Sequence, residues 1–345
     1  MIKKFFLASV AATMMTACSV EEGFDTPVAA NEITFSVESG STSRQIATYS
    51  ANSTDRFIIS ARHNGVAFID EEPVSLSHGG WINRNASHVW PAEGNVDFFA
   101  YLYDETANNE HAPLLDIEQS RAKLRSFSVA ADASRQASLK YASAPERCAA
   151  GGSVPLQFKE ALSEIVFCAK NSSSKLHVEI SEIEVCNVHM QGDFIFPAGK
   201  KAASWDVSSS SPKTSKAAFE VKTVGKEMDC LGEETTMHLI PQSSDCATSE
   251  NGYSDGFSIV FRCAVWQLSD PAKGVQESDN MLIGDKNADG SVTFGELRIP
   301  LEINWHSGCR YVYSVNFGAG GISGIPVTGG TMLPVAFAAQ CESIN

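Results

Sequence analysis

The chain has 345 residues, with 26 Lys+Arg against 41 Asp+Glu for a formal charge of −15, 43% hydrophobic and 19% charged residues. At about 150 residues per domain this length predicts two domains with sizeable cores, and the charged fraction is too low for a disordered polyelectrolyte. An acidic balance without a Lys/Arg-rich run repels phosphate backbones, which excludes nucleic acid as a partner.

Residues 1–17 read as a secretory signal: Lys3 and Lys4, an apolar run from Phe5, then small residues before Cys18. The run is too short to span a bilayer. Met15-Thr16-Ala17-Cys18 resembles a lipobox, the site where a lipoprotein signal is cut before a Cys whose thiol receives diacylglycerol. Cys18 is therefore the expected lipidation site, with palmitate-type acyl chains each contributing about 0.8 kcal/mol per buried CH₂. Ser19-Val20-Glu21-Glu22-Gly23-Phe24-Asp25 resembles the acidic signal that sends lipoproteins to the outer face of the outer membrane. Residues 18–31 are read as a lipidated acidic tether, and the protein as surface-exposed. Eight further Cys, at 148, 168, 186, 230, 246, 263, 309 and 341, allow 105 pairings. Export to an oxidising compartment permits disulfides, while Cys168 within Ile165-Val166-Phe167 equally suits a buried thiol. No C-x-x-C spacing marks a zinc or thioredoxin-like motif.

The remainder reads as strands. Apolar residues alternate at Ile33/Phe35/Val37, Phe57/Ile59, Val96/Phe98/Ala100, Leu156/Phe158, Ile180/Ile183/Val185, Phe257/Ile259/Phe261 and Leu297/Ile299/Leu301/Ile303/Trp305. Gly/Ser/Asn/Asp/Pro clusters separate them, including 38–44, 64–65, 149–153, 242–256 and 318–330. The best helical candidate is a short turn near Asp116–Leu124. This pattern predicts an all-β chain built of sandwiches. The composition break at Ala149-Ala150-Gly151-Gly152-Ser153 divides it into 32–149 and 150–345.

Several segments carry a family resemblance. Trp81, Trp90-Pro91 and Val96-Asp97-Phe98-Phe99-Ala100-Tyr101 resemble the tryptophan and FFAYY signature of the fimbrillin family, subunits of type V pili and their relatives. In the same order follow Ser138-Leu139-Lys140-Tyr141-Ala142, then Val154-Pro155-Leu156 through Phe167, where Glu160 replaces the family's usual His. Leu239-Ile240-Pro241-Gln242 and Ile299-Pro300-Leu301 with Trp305, Gly308, Tyr311 and Tyr313 complete the set.

The resemblance implies two tandem β-sandwich domains, transthyretin-like or Ig-like. It also implies an assembly mechanism in which a trypsin-like protease removes an amino-terminal strand and a strand from the next subunit fills the groove. Carried onto this sequence, the exchanged strand is Ile33–Val37, with Ile33, Phe35 and Val37 inward. The processing site is Arg44, in a small polar loop that a protease can bind. The carboxy-terminal alternation Leu333/Val335/Phe337 suits either a donor strand or one that closes its own sheet.

Chemical motifs are sparse. Asp285-x-Asn287-x-Asp289-Gly290-x₅-Glu296 matches an EF-hand loop, with Ser291 supplying a carbonyl, so Asp285, Asn287, Asp289, Ser291 and Glu296 are candidate Ca²⁺ ligands. Leu297-Arg298-Ile299-Pro300 continues as a strand where the exiting helix belongs, which favours a hairpin with an Asp-Gly turn. Gly252-Tyr253-Ser254-Asp255-Gly256 lacks the strand–turn–helix of a nucleophile elbow. Gly318–Gly324 lacks the βαβ unit of a dinucleotide site. The eight His are dispersed and no carboxylate pair forms a dyad. The expectation is a non-enzymatic surface lipoprotein requiring no cofactor. It would be a structural, anchor or tip component of a pilus, with other pilus subunits and the outer membrane as partners. The alternative is a nonpolymerising surface lipoprotein that binds host proteins or glycans; its mark would be exposed aromatics in a concave patch, whereas a pilin would hold Trp81 and Trp90 buried over an apolar groove.

Overall fold

A computed structural model describes residues 31–37, 56–77, 80–83, 87–103, 114–118, 121–244, 256–318, 324–326 and 332–344. Among these, all regular structure is strand apart from three single 3₁₀ turns. The all-β class follows from the period-two patterning.

The first sheet has eight strands in the spatial order Lys159–Glu160, Leu139–Arg147, Val96–Tyr103, Arg56–His63, Val66–Ser77, Gly80–Asn83, Phe35–Val37, Val154–Leu156. Arg56–His63 and Val66–Ser77 form a hairpin turning at Asn64-Gly65, with φ of 52° and 79°. Two successive left-handed residues give the turn whose twist matches the flanking strands, and Asn-Gly adopts it at least cost. The sheet curls until Val154–Leu156, at one end, lies against Leu139–Arg147 near the other. It thereby encloses a core of Ile33, Phe35, Phe57, Ile59, Val96, Phe98, Val154 and Leu156.

Strand Val96–Tyr103 is apolar on both faces because both are covered. Phe98 and Ala100 enter the first core; Phe99 and Tyr101 enter a second, larger one. There Phe99 sets its ring edge on Phe196 at 5.5 Å and Tyr141 meets Phe194 at 4.7 Å. The expected turn near Asp116–Leu124 is instead a β-hairpin, Leu114–Glu118 with Arg121–Ser128. Leu115, Ala122, Leu124 and Phe127 are its buried residues, and the alternation through Ala122 and Leu124 outweighs helix propensity. The hairpin continues through Gln191–Ile195 and Ser204–Asp206 as a four-stranded sheet.

Two further sheets face each other over the second core. One carries Ser163–Asn171 parallel to Cys309–Phe317, with Met237–Leu239, Asp229–Cys230, Met332–Ser343 and Gly324–Pro326 at its margins. The other orders Pro212–Thr223, Leu176–His189, Ser258–Gln267 and Asn280–Ile283, with Gly295–Pro300 also on Ser258–Gln267. Ile180, Ile183 and Val185 are all fully buried although the first spacing is three residues, because the ladder bulges between Ile180 and Glu182 and restores the facing. Cys168 stands opposite Cys230 and is bonded to it; Cys186 and Cys263 are buried thiols, and Cys246 lies outside the described residues. Hydrogen bonding crosses the 149–153 break. Val154–Leu156 and Lys159–Glu160 return to the first sheet, and Arg121–Ser128 pairs with Gln191–Ile195.

Candidate strand-exchange site

Phe35–Val37 occupies an interior position of the first sheet. On one side Phe35 pairs antiparallel with Trp81; on the other Phe35, Ser36 and Val37 run parallel to Val154, Pro155 and Leu156. The preceding residues extend both ladders: Ile33 N–H donates to His88 O at 2.8 Å, Trp90 N–H to Asn31 O at 3.0 Å, and Val154 N–H to Thr34 O at 2.8 Å. Alternation sends Ile33 (4% exposed) and Phe35 (5%) inward and leaves Ser36 in solvent, with Val37 half-buried at the end.

Phe35 is held by rings. Its centroid lies 5.9 Å from both Phe57 and Phe98, each edge-on. Phe57 in turn meets Trp81 at 5.2 Å and Phe158 at 5.3 Å, and Trp90 stands edge-on to Phe98 at 5.8 Å. Such geometry suits the ring quadrupoles and adds about 0.5–1.5 kcal/mol per pair beyond area burial. Glu72 braces the flank, accepting from Asn83 Nδ2 and lying 3.0 Å from His88 Nε2. Take the strand away, and an apolar slot floored by Phe57 and Phe98 opens between Gly80–Asn83 and Val154–Leu156, with backbone donors and acceptors bare along both walls.

The other sequence motifs have structural work to do here. Gln242 is buried; its Oε1 accepts from His189 N–H at 2.9 Å and its Nε2 donates to the carbonyls of His189 and Ile240. Trp305 Nε1–H donates to Tyr313 OH at 2.9 Å, Tyr311 OH donates to Asn304 O, and Gly308 takes φ 68° while its N–H reaches Leu162 O. These residues join loops to the second core. Glu160, in the position where the resemblance has His, pairs with Lys140 at 3.1 Å with both side chains almost buried.

The candidate Ca²⁺ ligands fall on a hairpin, Asp285 opposite Thr293 and Lys286 opposite Val292. The turn gathers Asn287, Asp289 and Ser291: Asp289 Oδ1 accepts from Ser291 N–H and Oγ–H, which holds its carboxyl below the usual range, and Asn287 Nδ2 donates to Ser291 Oγ. Glu296 is set apart on the next strand, 2.7 Å from Arg262 and 3.6 Å from Arg298. Among the described residues no three His, Cys, Asp or Glu are grouped to hold a metal. The expected outcome is one melting temperature in calcium and in chelator, read by thermal unfolding of the whole chain; a rise with calcium would restore the ligand set.

Cys18 and Arg44 lie outside the described residues. The carboxy-terminal strand Met332–Ser343 runs antiparallel to Cys309–Phe317, from Cys309 opposite Ser343 to Phe317 opposite Val335. Its outer side is paired only at 332–334, with Gly324–Pro326, among the described residues. A cavity of about 940 Å³ lies nearby, bordered by Lys140, Glu160, Glu164, His238 and Arg310. Glu164 is matched with Arg310 at 3.0 Å and Lys140 with Glu160, and no Phe, Tyr or Trp lines the cavity. All five tryptophans are buried or half-buried.

A fimbrial protein from Bacteroides vulgatus ATCC 8482 shares the fold at 11% identity and a TM-score of 0.61, covering 91% of this chain and 100% of that one. A putative cell adhesion protein from Bacteroides uniformis ATCC 8492 aligns over 91% and 99% at 13% identity with a TM-score of 0.45. One from Parabacteroides distasonis ATCC 8503 aligns over 91% and 98% at 8% identity and 0.47. No curated protein matches. The Fimbrillin-like family model matches residues 37–332, from the end of the Phe35–Val37 strand to the start of the carboxy-terminal one, and the chain belongs to the fimbrillin-like family.

Proposed function

We propose that this chain is a component of a type V pilus, delivered to the cell surface as a lipoprotein and assembled by donor-strand exchange. The observation that carries the reading is the interior seat of Phe35–Val37, hydrogen-bonded on both sides and rooted in aromatic rings. In the precursor this strand completes its own sheet. Cleavage at Arg44 frees the segment that contains it, and an incoming strand satisfies the same backbone groups and fills the same slot. Burial of Ile33 and Phe35 contributes about 1.5–3 kcal/mol each. An empty slot is therefore unstable and selects for a replacement strand. The alternation of Leu333, Val335 and Phe337 supports the carboxy-terminal strand as the donor.

On this reading residues 1–17 are the signal, Cys18 carries the lipid, residues 18–31 are the tether, and 32–149 and 150–345 are the two sandwich domains. The half-buried Trp81 and Trp90 and a cavity lined by no Phe, Tyr or Trp weigh against a glycan-binding surface. Intact mass and native gel mobility before and after limited trypsin test the proposal. Wild type loses the segment ending at Arg44 and forms denaturant-resistant ladders; Arg44→Gln keeps it and remains monomeric. A cleaved wild type that stays monomeric overturns strand exchange.

A further inference from the structure

Two thiols meet on the ladder that holds the carboxy-terminal strand. Tyr311 stands opposite Cys341 and Cys309 opposite Ser343, so alternation puts Cys309 and Cys341 on one sheet face as diagonal neighbours. Diagonal partners on a flat ladder lie near the upper limit of the span a disulfide bridges. Here the Cys341 side chain is near enough to act on the Cys309 thiol, so the two are neighbours across the ladder. Both are free thiols, Cys341 exposed and Cys309 half-buried. The same sheet carries the Cys168–Cys230 bond on its opposite margin.

We propose that Cys309 and Cys341 form a second disulfide, which fastens Met332–Ser343 to its own sheet. The exposed Cys341 gives up its proton and attacks one sulfur of an oxidant disulfide, that of a thiol–disulfide exchange protein or of oxidised glutathione. The oxidant's other sulfur leaves as a thiol. Cys309 then loses its proton and attacks the Cys341 sulfur of the mixed disulfide, expelling the second oxidant thiol. Two protons and two electrons pass from the pair to the oxidant. Burial and the neighbouring thiol push Cys309 up, which suits it to the second step rather than the first. The consequence for assembly rests on the strand-exchange reading: a bonded strand stays at home, and a reduced one is free to be donated.

Other sulfurs are placed differently. Cys263 is fully buried with its thiol pushed up to about 12, and Cys186 is buried as well.

The test uses the full chain, equilibrated in a glutathione redox buffer, alkylated without reduction, digested and mapped by mass. The expected result is a peptide pair joined through 309 and 341; alkyl groups on both residues beside an intact Cys168–Cys230 link overturn the pair. Hydrogen exchange of residues 335–343 tests the fastening, with exchange in Cys341→Ser faster than in the oxidised wild type by at least about tenfold. Equal rates overturn it. Neither readout needs a polymer, so absent ladders after trypsin defeat strand exchange while these results decide the disulfide by themselves.

Discussion

Phe35→Ala lowers the unfolding free energy of the unprocessed chain by about 3–5 kcal/mol, the range for removing a buried aromatic ring from a core that collapses only in part. The ring is 5% exposed and wedged edge-on between Phe57 and Phe98, which lie on neighbouring strands and cannot close the gap without tilting off their own ladders. Ser36→Ala, one residue on and in solvent, changes stability by no more than about 0.5 kcal/mol. Urea unfolding followed by tryptophan fluorescence reads both, since Trp81 and Trp90 flank the slot. The comparison gains force after trypsin. If residues 31–37 leave and another strand takes their seat, Phe35→Ala and wild type become equally stable polymers; a difference that survives processing places the original strand still in its groove.

Lys140→Met has an effect of similar size for a different reason. Lys140 and Glu160 sit opposite one another on adjacent strands, 3.1 Å apart, with side chains 9% and 12% exposed. Deleting the cation removes the Lys140 ammonium from beside a nearly buried carboxylate, at a cost of about 3–5 kcal/mol near neutral pH. Replacing both, as Lys140→Met with Glu160→Leu, restores most of that stability, because no buried charge is left over. Burial pushes the Glu160 carboxyl above its ordinary value, and Lys140 offsets only part of the shift. A raised folded-state value means that the native chain binds the proton more tightly than the unfolded one. The contribution of Glu160 therefore falls as pH rises from its ordinary range through the raised value. Removing Lys140 extends that fall, so the gap between Lys140→Met and wild type widens from about pH 4 to pH 7 in denaturant titrations. A gap independent of pH would mean that Glu160 is not the group responsible.

The Glu160 position illustrates how far a motif carries. Its departure from the family's usual His is plain in the sequence and tells nothing of function; the ladder supplies the reason, since register sets it against Lys140 on an earlier strand, and only an acid there neutralises that cation. The tryptophan and tyrosine motifs behave in the same way. Their order betrays the family, while their purposes are the Trp305–Tyr313 hydrogen bond, the Gln242 anchor and the ring cluster around Phe35. The EF-hand pattern reads the opposite way. Its spacing matches at every ligand, yet the strand that follows carries Glu296 away to Arg262 and Arg298, since a ligand sphere needs three-dimensional convergence and a linear pattern guarantees only spacing.

By itself the sequence determined the all-β class, the family, the break between strands at 64–65 and the inward facing of Ile33 and Phe35, because each follows from local chemistry: alternation, turn-forming residues and the large aromatics of a core. It also marked the exclusions, since charge and missing motifs are additive properties of the chain. The tertiary structure decided which strands adjoin. Val154–Leu156 and Lys159–Glu160 are three and two residues long, too short to show a period, and their seats beside Phe35–Val37 and Leu139–Arg147 follow from the curl of the whole sheet. Long-range pairing also chose Cys168–Cys230 among the many possible bridges and brought Cys309 to Cys341. A cysteine is local, but its partner is set by register, and register is set by which faces the folded chain buries.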